Sequence, residues 1–343
     1  MKRTITFLSL ACLLVACNNK KPAGPDVSAI NVNVQVQRFD KDFYAIDTNN
    51  IPDAMRSLLS KYPEIGGEFL TNVLGVDSSN YIPAIKYFIR TSSAIQQRAD
   101  ELFTDFTPIK KQFEQGFKHV KYYFPEYKVP AIITLVGPVD AMATGNYGPT
   151  PDFSRPGFIG ISLQFYLGSD YALYKDAQFI ERVAPEYRSL RFSKEYIIGD
   201  AMQLVVTDLF PDNSEDKPLI EQMIERGKRL WLLDKFLPDV ADSVKAGYTR
   251  QQIEWCEANE GDIWSYLVKN EDIYSINPAT IQTYIGEGPS TSSFPNTPSP
   301  GNLGPWIGWR IVEKFADKNP NMKPEDIMKA TPKDILEGSK YKP

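Results

Sequence analysis

A single histidine, His119, bounds the chemistry open to this 343-residue chain. Metal sites built on two imidazoles, including the His-Glu-x-x-His arrangement of zinc peptidases, cannot be assembled from one. A Ser-His-Asp or Cys-His nucleophile would have to use His119 itself. That residue lies in Pro108 to Phe124, where Ile109, Phe113, Phe117, Val120 and Phe124 form one apolar helical stripe. Its place roughly opposite the stripe predicts that it faces solvent. Cys256, beside Trp255, is expected to pack as a small apolar side chain. Asp200, Asp208, Glu254, Glu257 and Glu260 could supply two carboxylates for metal-free hydrolysis, but their spacing singles out no pair. Trp306 and Trp309 are three apart and share a helix face. Core packing is the plainer reading; a groove wall that stacks on a peptide or sugar is the sharper one. No phosphate-binding Gly-x-x-x-x-Gly-Lys-Ser/Thr loop or dinucleotide fingerprint is present.

The N-terminus carries a different kind of chemistry. Lys2 and Arg3 precede an apolar run, Ile5 to Ala16, which is too short to span a membrane and ends in Leu14-Val15-Ala16-Cys17. This ending resembles the bacterial lipobox, in which lipid is joined to the cysteine thiol and the chain is cut just before it. Residues 1–16 are therefore expected to be a signal peptide, and Cys17 the point of attachment to a membrane. Each buried methylene contributes about 0.8 kcal/mol, so two or more acyl chains, such as palmitate, anchor firmly where one does not. Residues 17–31, with Lys20, Lys21, Pro22, Gly24 and Pro25, read as the lipidated cysteine and a flexible tether. Asn18-Asn19-Lys20-Lys21 contains no acidic cluster of the sort that directs surface display, which favours the periplasmic side.

Loss of Lys2 and Arg3 lowers the 38 basic residues to 36, against 43 acidic ones. This acidic balance with no basic patch argues against nucleic acid as a partner. Of three cysteines, Cys12 would leave with the signal and Cys17 would carry lipid. Cys256 alone cannot form an internal disulfide, so the fold must rest on its core.

The elements that would position these residues are mostly helices. Asn31 to Gln37 alternates like a half-buried strand, while Val129 to Val136 and Gly157 to Phe165 read as buried strands. Helices are expected over Asp53–Lys61, Glu64–Leu74, Ile82–Arg90 and Pro108–Phe124. They continue from Ser193 through Tyr196–Phe210, apolar on nearly every side and so central, and over Lys217–Phe236. Tyr248–Lys269 reads as one helix capped by Thr249. Ile285 to Pro305, rich in glycine and proline, is a loop of about 20 residues, a length that marks function or disorder. Pro305 is expected to open a helix over Trp306–Asp317, with short turns in Lys323–Gly338. The absence of a 20–50-residue repeat argues against a solenoid.

Several segments taken together resemble the gliding-motility lipoprotein GldB family. They are Gly227-Lys228, Leu230 to Pro238, Gly247-Tyr248-Thr249, Trp255-Cys256-Glu257, Ile263-Trp264, Gly304 to Val312 and the closing Ser339-Lys340-Tyr341-Lys342-Pro343. The likeness covers nearly the whole chain. It implies a single globular domain over 32–343, attached to the envelope and working with the motility and associated secretion machinery. The family in turn looks distantly like zincin-type metallopeptidases, which implies a mainly helical α+β body with a small mixed sheet and a degenerate metal cleft. On that likeness Gly199 and Gln203 stand at two ligand positions, Asp200 at the general base, and Arg226 near a third ligand. None of the three ligand positions then suits zinc. The expectation is a non-catalytic lipoprotein without cofactor or metal, acting by protein contact. The alternatives are a peptide- or carbohydrate-binding lipoprotein and a metal-independent hydrolase using cleft carboxylates.

Overall fold

The computed structural model describes residues 24–77, 79–145, 148–270, 273–294 and 299–343. Residues 1–16, expected to be a signal peptide, and Cys17 lie outside these. Six strands are present among the described residues: β1 (Val36–Arg38), β2 (Ala131–Leu135), β3 (Ala143–Gly145), β4 (Gly148–Thr150), β5 (Phe153–Arg155) and β6 (Phe158–Ser162). Four of them form the main sheet in the order β1-β2-β6-β5, and β3 and β4 pair separately. β2 runs parallel to both β1 and β6, while β5 returns antiparallel along β6. The central strands are buried on both faces, which is why they read as apolar runs without alternation.

Side-chain alternation then divides the core in two. Ile133, Leu135 and Phe158 join Phe39, Phe43, Met55, Ile65, Phe69 and Ile85 in a smaller cluster. Ile132, Ile159 and Ile161 point the other way, into a larger cluster built chiefly from the C-terminal helices. The mainly helical α+β architecture with one small mixed sheet matches the sequence reading.

Three helices build the larger core around the site. The central helix, Ile197–Leu209, follows a short 3-10 turn at Lys194–Tyr196. The long helix, Leu219–Phe236, lies against the tryptophan helix, Leu303–Lys318, over much of their lengths. Glycines set that separation: a Cβ on Gly227 would stand 2.1 Å from the Gly308 carbonyl carbon, and one on Gly308 1.7 Å from the Met223 oxygen. Any larger residue must push the backbones apart.

Tertiary packing corrects several local readings. His119 is buried, at 2% exposure, with Nδ1 3.0 Å from the Gln115 carbonyl oxygen. It is covered because Gly24 and Pro238 come together over it. Val27 is also buried, so from Gly24 onward the stretch read as tether lies against the body. The first strand is confined to Val36–Arg38. The helix expected over Ile82–Arg90 runs from Tyr81 to Leu102. Thr249 does cap a helix, in a reciprocal box with Gln252, but that helix ends at Ala258 and another begins at Glu260. The tryptophan helix starts at Leu303, two residues before Pro305. Within the Gly/Pro stretch, Thr291 is fully buried and its hydroxyl donates to the Pro300 carbonyl at 2.8 Å.

Candidate functional site

The central helix directs successive residues to different surroundings. Gly199 lies where the helix Asp242–Ala246 crosses; a Cβ there would sit 2.8 Å from the Val244 carbonyl oxygen. No larger side chain, an imidazole least of all, fits without moving backbone. Gln203, one turn on, donates from Nε2 to the Lys245 carbonyl at 3.4 Å and lines a cavity of about 90 Å³. Arg226 and Arg229, three apart on the long helix, line the same cavity with Tyr248, Asn302 and Trp306. Of the residues placed in a vestigial cleft, then, Gln203 and Arg226 meet across one cavity, while Gly199 is packed and Asp200 is not among the cavity walls.

Asp200 belongs instead to an acidic cluster at the edge of the sheet. Its Oδ2 lies 3.0 Å from the Tyr166 hydroxyl, which is also 2.7 Å from Asp152 Oδ2. Asp152 is 1% exposed, and its Oδ1 accepts from the Ser162 backbone N–H at 3.0 Å. One phenol has one hydrogen, so both contacts are favourable together only when one carboxyl is protonated and donates to the phenolic oxygen. Burial, reinforced by the charge on Asp200, holds the Asp152 carboxyl well above the usual range. Asp200 is pushed up to about 6 by burial, against the opposing effect of Arg191, the Tyr166 hydroxyl and Arg188. Those arginines are engaged around Glu287: Arg191 Nη2 lies 2.7 Å and Arg188 Nε 3.8 Å from its Oε1.

The other carboxylates offered by sequence are dispersed. Glu254 pairs with Arg250 on an exposed surface, and Glu260 meets Arg310 and the Tyr341 hydroxyl. Cys256 is fully buried, and burial raises its thiol pKa, in keeping with a packing role. Trp309 is sealed in the core, where the buried Lys245 ammonium, paired with Asp234 and Asp242, lies 5.8 Å from its ring centroid. Trp306 is only 2% exposed, yet one edge of it forms cavity wall. The groove that would stack a ligand on both indoles is therefore not formed.

The donor set does not fit a metal. Gly199 offers no side chain, Gln203 has its amide nitrogen on a carbonyl, and Arg226 is a cation donating to the Ile285 carbonyl at 2.8 Å. Among the described residues, no three of His, Cys, Asp and Glu gather where they could hold an ion. Arg229 was the residue most accessible to sequence reasoning, since it stands three after Arg226 on a clear helix. Asp152 and Asn302 carry no such signal, because each reaches the site from irregular chain. Among the described residues, no helix is long and apolar enough to cross a membrane.

No curated protein and no solved structure matches the chain. A family model does, over residues 20–343: this chain belongs to the family described as gliding motility protein GldB, a lipoprotein family.

Proposed function

We propose that the protein is a non-catalytic component of the gliding motility and associated secretion machinery, lipid-anchored through acylated Cys17, facing the periplasm, and acting by contact with other envelope proteins. Family membership supports the motility setting. The observation that carries the non-catalytic part is the content of the cleft. At Gly199, which a zincin-like arrangement would make a ligand position, a crossing backbone fills the space, and Arg226, which it would put near another, is a guanidinium with no electron pair to offer a metal. A body of this shape can still present a specific surface, and specific surfaces need no reactive group.

The test uses a gliding host carrying single chromosomal changes at normal protein levels. Cys17→Ser is expected to release the protein from the membrane fraction and stop gliding. Asp200→Asn and Gln203→Ala are expected to leave gliding at wild-type speed. Loss of gliding in either of the latter, together with turnover of a peptide or glycoside by the purified wild type, would replace this reading with an enzymatic one.

A further inference from the structure

The cavity between the central, long and tryptophan helices brings two cationic side chains together with two buried polar atoms that lack partners among the described residues. Two guanidiniums, Arg226 and Arg229, enter it from one face of the long helix. Arg229 is 5% exposed; Nη2 donates to the Phe210 carbonyl at 2.7 Å, and Nε lies 3.9 Å from Asp212 Oδ2. Its Nη1, also buried, has no hydrogen-bond partner among the described residues. Burial lowers the pKa of both guanidiniums, Arg226 to about 10, against the opposing charge of Asp212 on both and of Glu225 on Arg229. Arg229 Nη1 is thus a buried donor in the cavity wall with no acceptor among the described residues, an unfavourable state for a charged group. On another wall, Asn302 holds a left-handed backbone conformation, φ 60°, and its buried Oδ1 has no donor among the described residues. The remaining walls are largely apolar: Leu230, Ala246, Pro305 and the ring of Trp306.

We infer that this cavity is a binding site for a small organic carboxylate of the kind that ends a peptide: a carboxylate on the Arg226–Arg229 pair, a neighbouring N–H on Asn302 Oδ1, and an apolar side chain against Trp306 and Leu230. Guanidinium forks bind carboxylate oxygens at short range and with fixed geometry. A volume of about 90 Å³ is several times that needed for a single water, and suits one terminal residue rather than a longer segment. Gln203, Arg226, Ala246 and Asn302 are half-buried, so the cavity reaches the surface and the rest of a peptide can lie outside. The apolar wall favours an organic acid over a bare inorganic anion. The inference stands on the cavity alone and does not depend on the motility reading.

The test is calorimetric titration of the full-length lipoprotein in detergent with N-acetyl-leucine, N-acetyl-leucinamide, the tripeptide Ala-Ala-Leu and inorganic phosphate. N-acetyl-leucine is expected to bind saturably, and its amide, which lacks the charge, at least tenfold more weakly. Equal binding of Ala-Ala-Leu assigns the site to peptide ends; binding of N-acetyl-leucine alone assigns it to small acids. Arg229→Met is expected to weaken binding at least tenfold. Asn302→Asp leaves both guanidiniums in place and sets a negative charge in the wall, so it serves if Arg229→Met fails to fold, and should abolish binding. Saturation by phosphate but not by N-acetyl-leucine, equal affinity for acid and amide, absence of any saturable binding, or unchanged binding in Asn302→Asp would each overturn the inference.

Discussion

Two buried polar clusters lie near the central helix, and they solve the same problem in opposite ways. The acidic one, Asp152–Tyr166–Asp200, meets the cost of burial internally: a backbone N–H, a phenol and a retained proton complete its hydrogen bonds. The basic one does not: Arg229 Nη1 and Asn302 Oδ1 are buried without partners among the described residues, and a guanidinium neither releases its proton at ordinary pH nor accepts a hydrogen bond. One cluster is thereby closed and structural. The other, in the same small region, keeps an unmet need that a ligand can supply.

The largest effect should come from the packing on which the basic cluster depends. Gly308→Ala forces a methyl group into the Met223 carbonyl and should cost about 3 kcal/mol or more, read as a fall in the denaturant midpoint. Because Arg226 and Arg229 stand on one of the two separated helices and Trp306 on the other, carboxylate binding should vanish as well. The acidic cluster, held on the chain just before β5, the chain just after β6 and the central helix, should keep its titration. Loss of both together would mean that the two clusters are not independent.

Next comes Asp152→Ala, which strands the Ser162 N–H, leaves the Tyr166 hydroxyl with Asp200 alone, and should cost about 1–3 kcal/mol. Asp152→Asn keeps an acceptor for Ser162 and removes the repulsion with Asp200, so its cost at pH 8 should be under about 1 kcal/mol. A large loss in both variants would show that charge, not hydrogen bonding, is what the cluster requires.

A smaller effect separates the clusters by pH. The carboxyl of Asp200 is raised from an ordinary value near 3.8 to about 6 on folding, so the folded state binds its proton more tightly than the unfolded chain does. Its stabilising contribution is complete below about pH 4 and is lost as pH rises through about 6. Compared with Asp200→Asn, the wild type should lose about 1–2 kcal/mol of unfolding free energy between those limits, followed by denaturant titration at each pH. A difference of the opposite sign would mean that Arg188 and Arg191 outweigh burial. The smallest change is expected for Arg226→Met, within about 1 kcal/mol at neutral pH. Losing the bond to the Ile285 carbonyl is offset there by removing one of two repelling buried cations.

Composition and pattern alone determined a good deal about this protein. One histidine excluded metal sites that need two imidazoles, and the apolar stretches Val129–Val136 and Gly157–Phe165 marked buried strands. Spacing placed Trp306 with Trp309 and the central helix in the core, since a helix apolar all round has nowhere else to go. Family-bearing segments around Gly227 and Gly304–Val312 fall on the two helices that touch through glycine. Only tertiary structure decided the rest. His119 is buried because residues distant in sequence close over it, which no helical stripe records. Asp152 becomes the partner of Asp200, and Asn302 a wall of the cavity that Arg229 lines, through irregular chain that has no period to read. Local pattern follows from one element's own geometry, whereas charge balance in a buried site depends on which elements meet there.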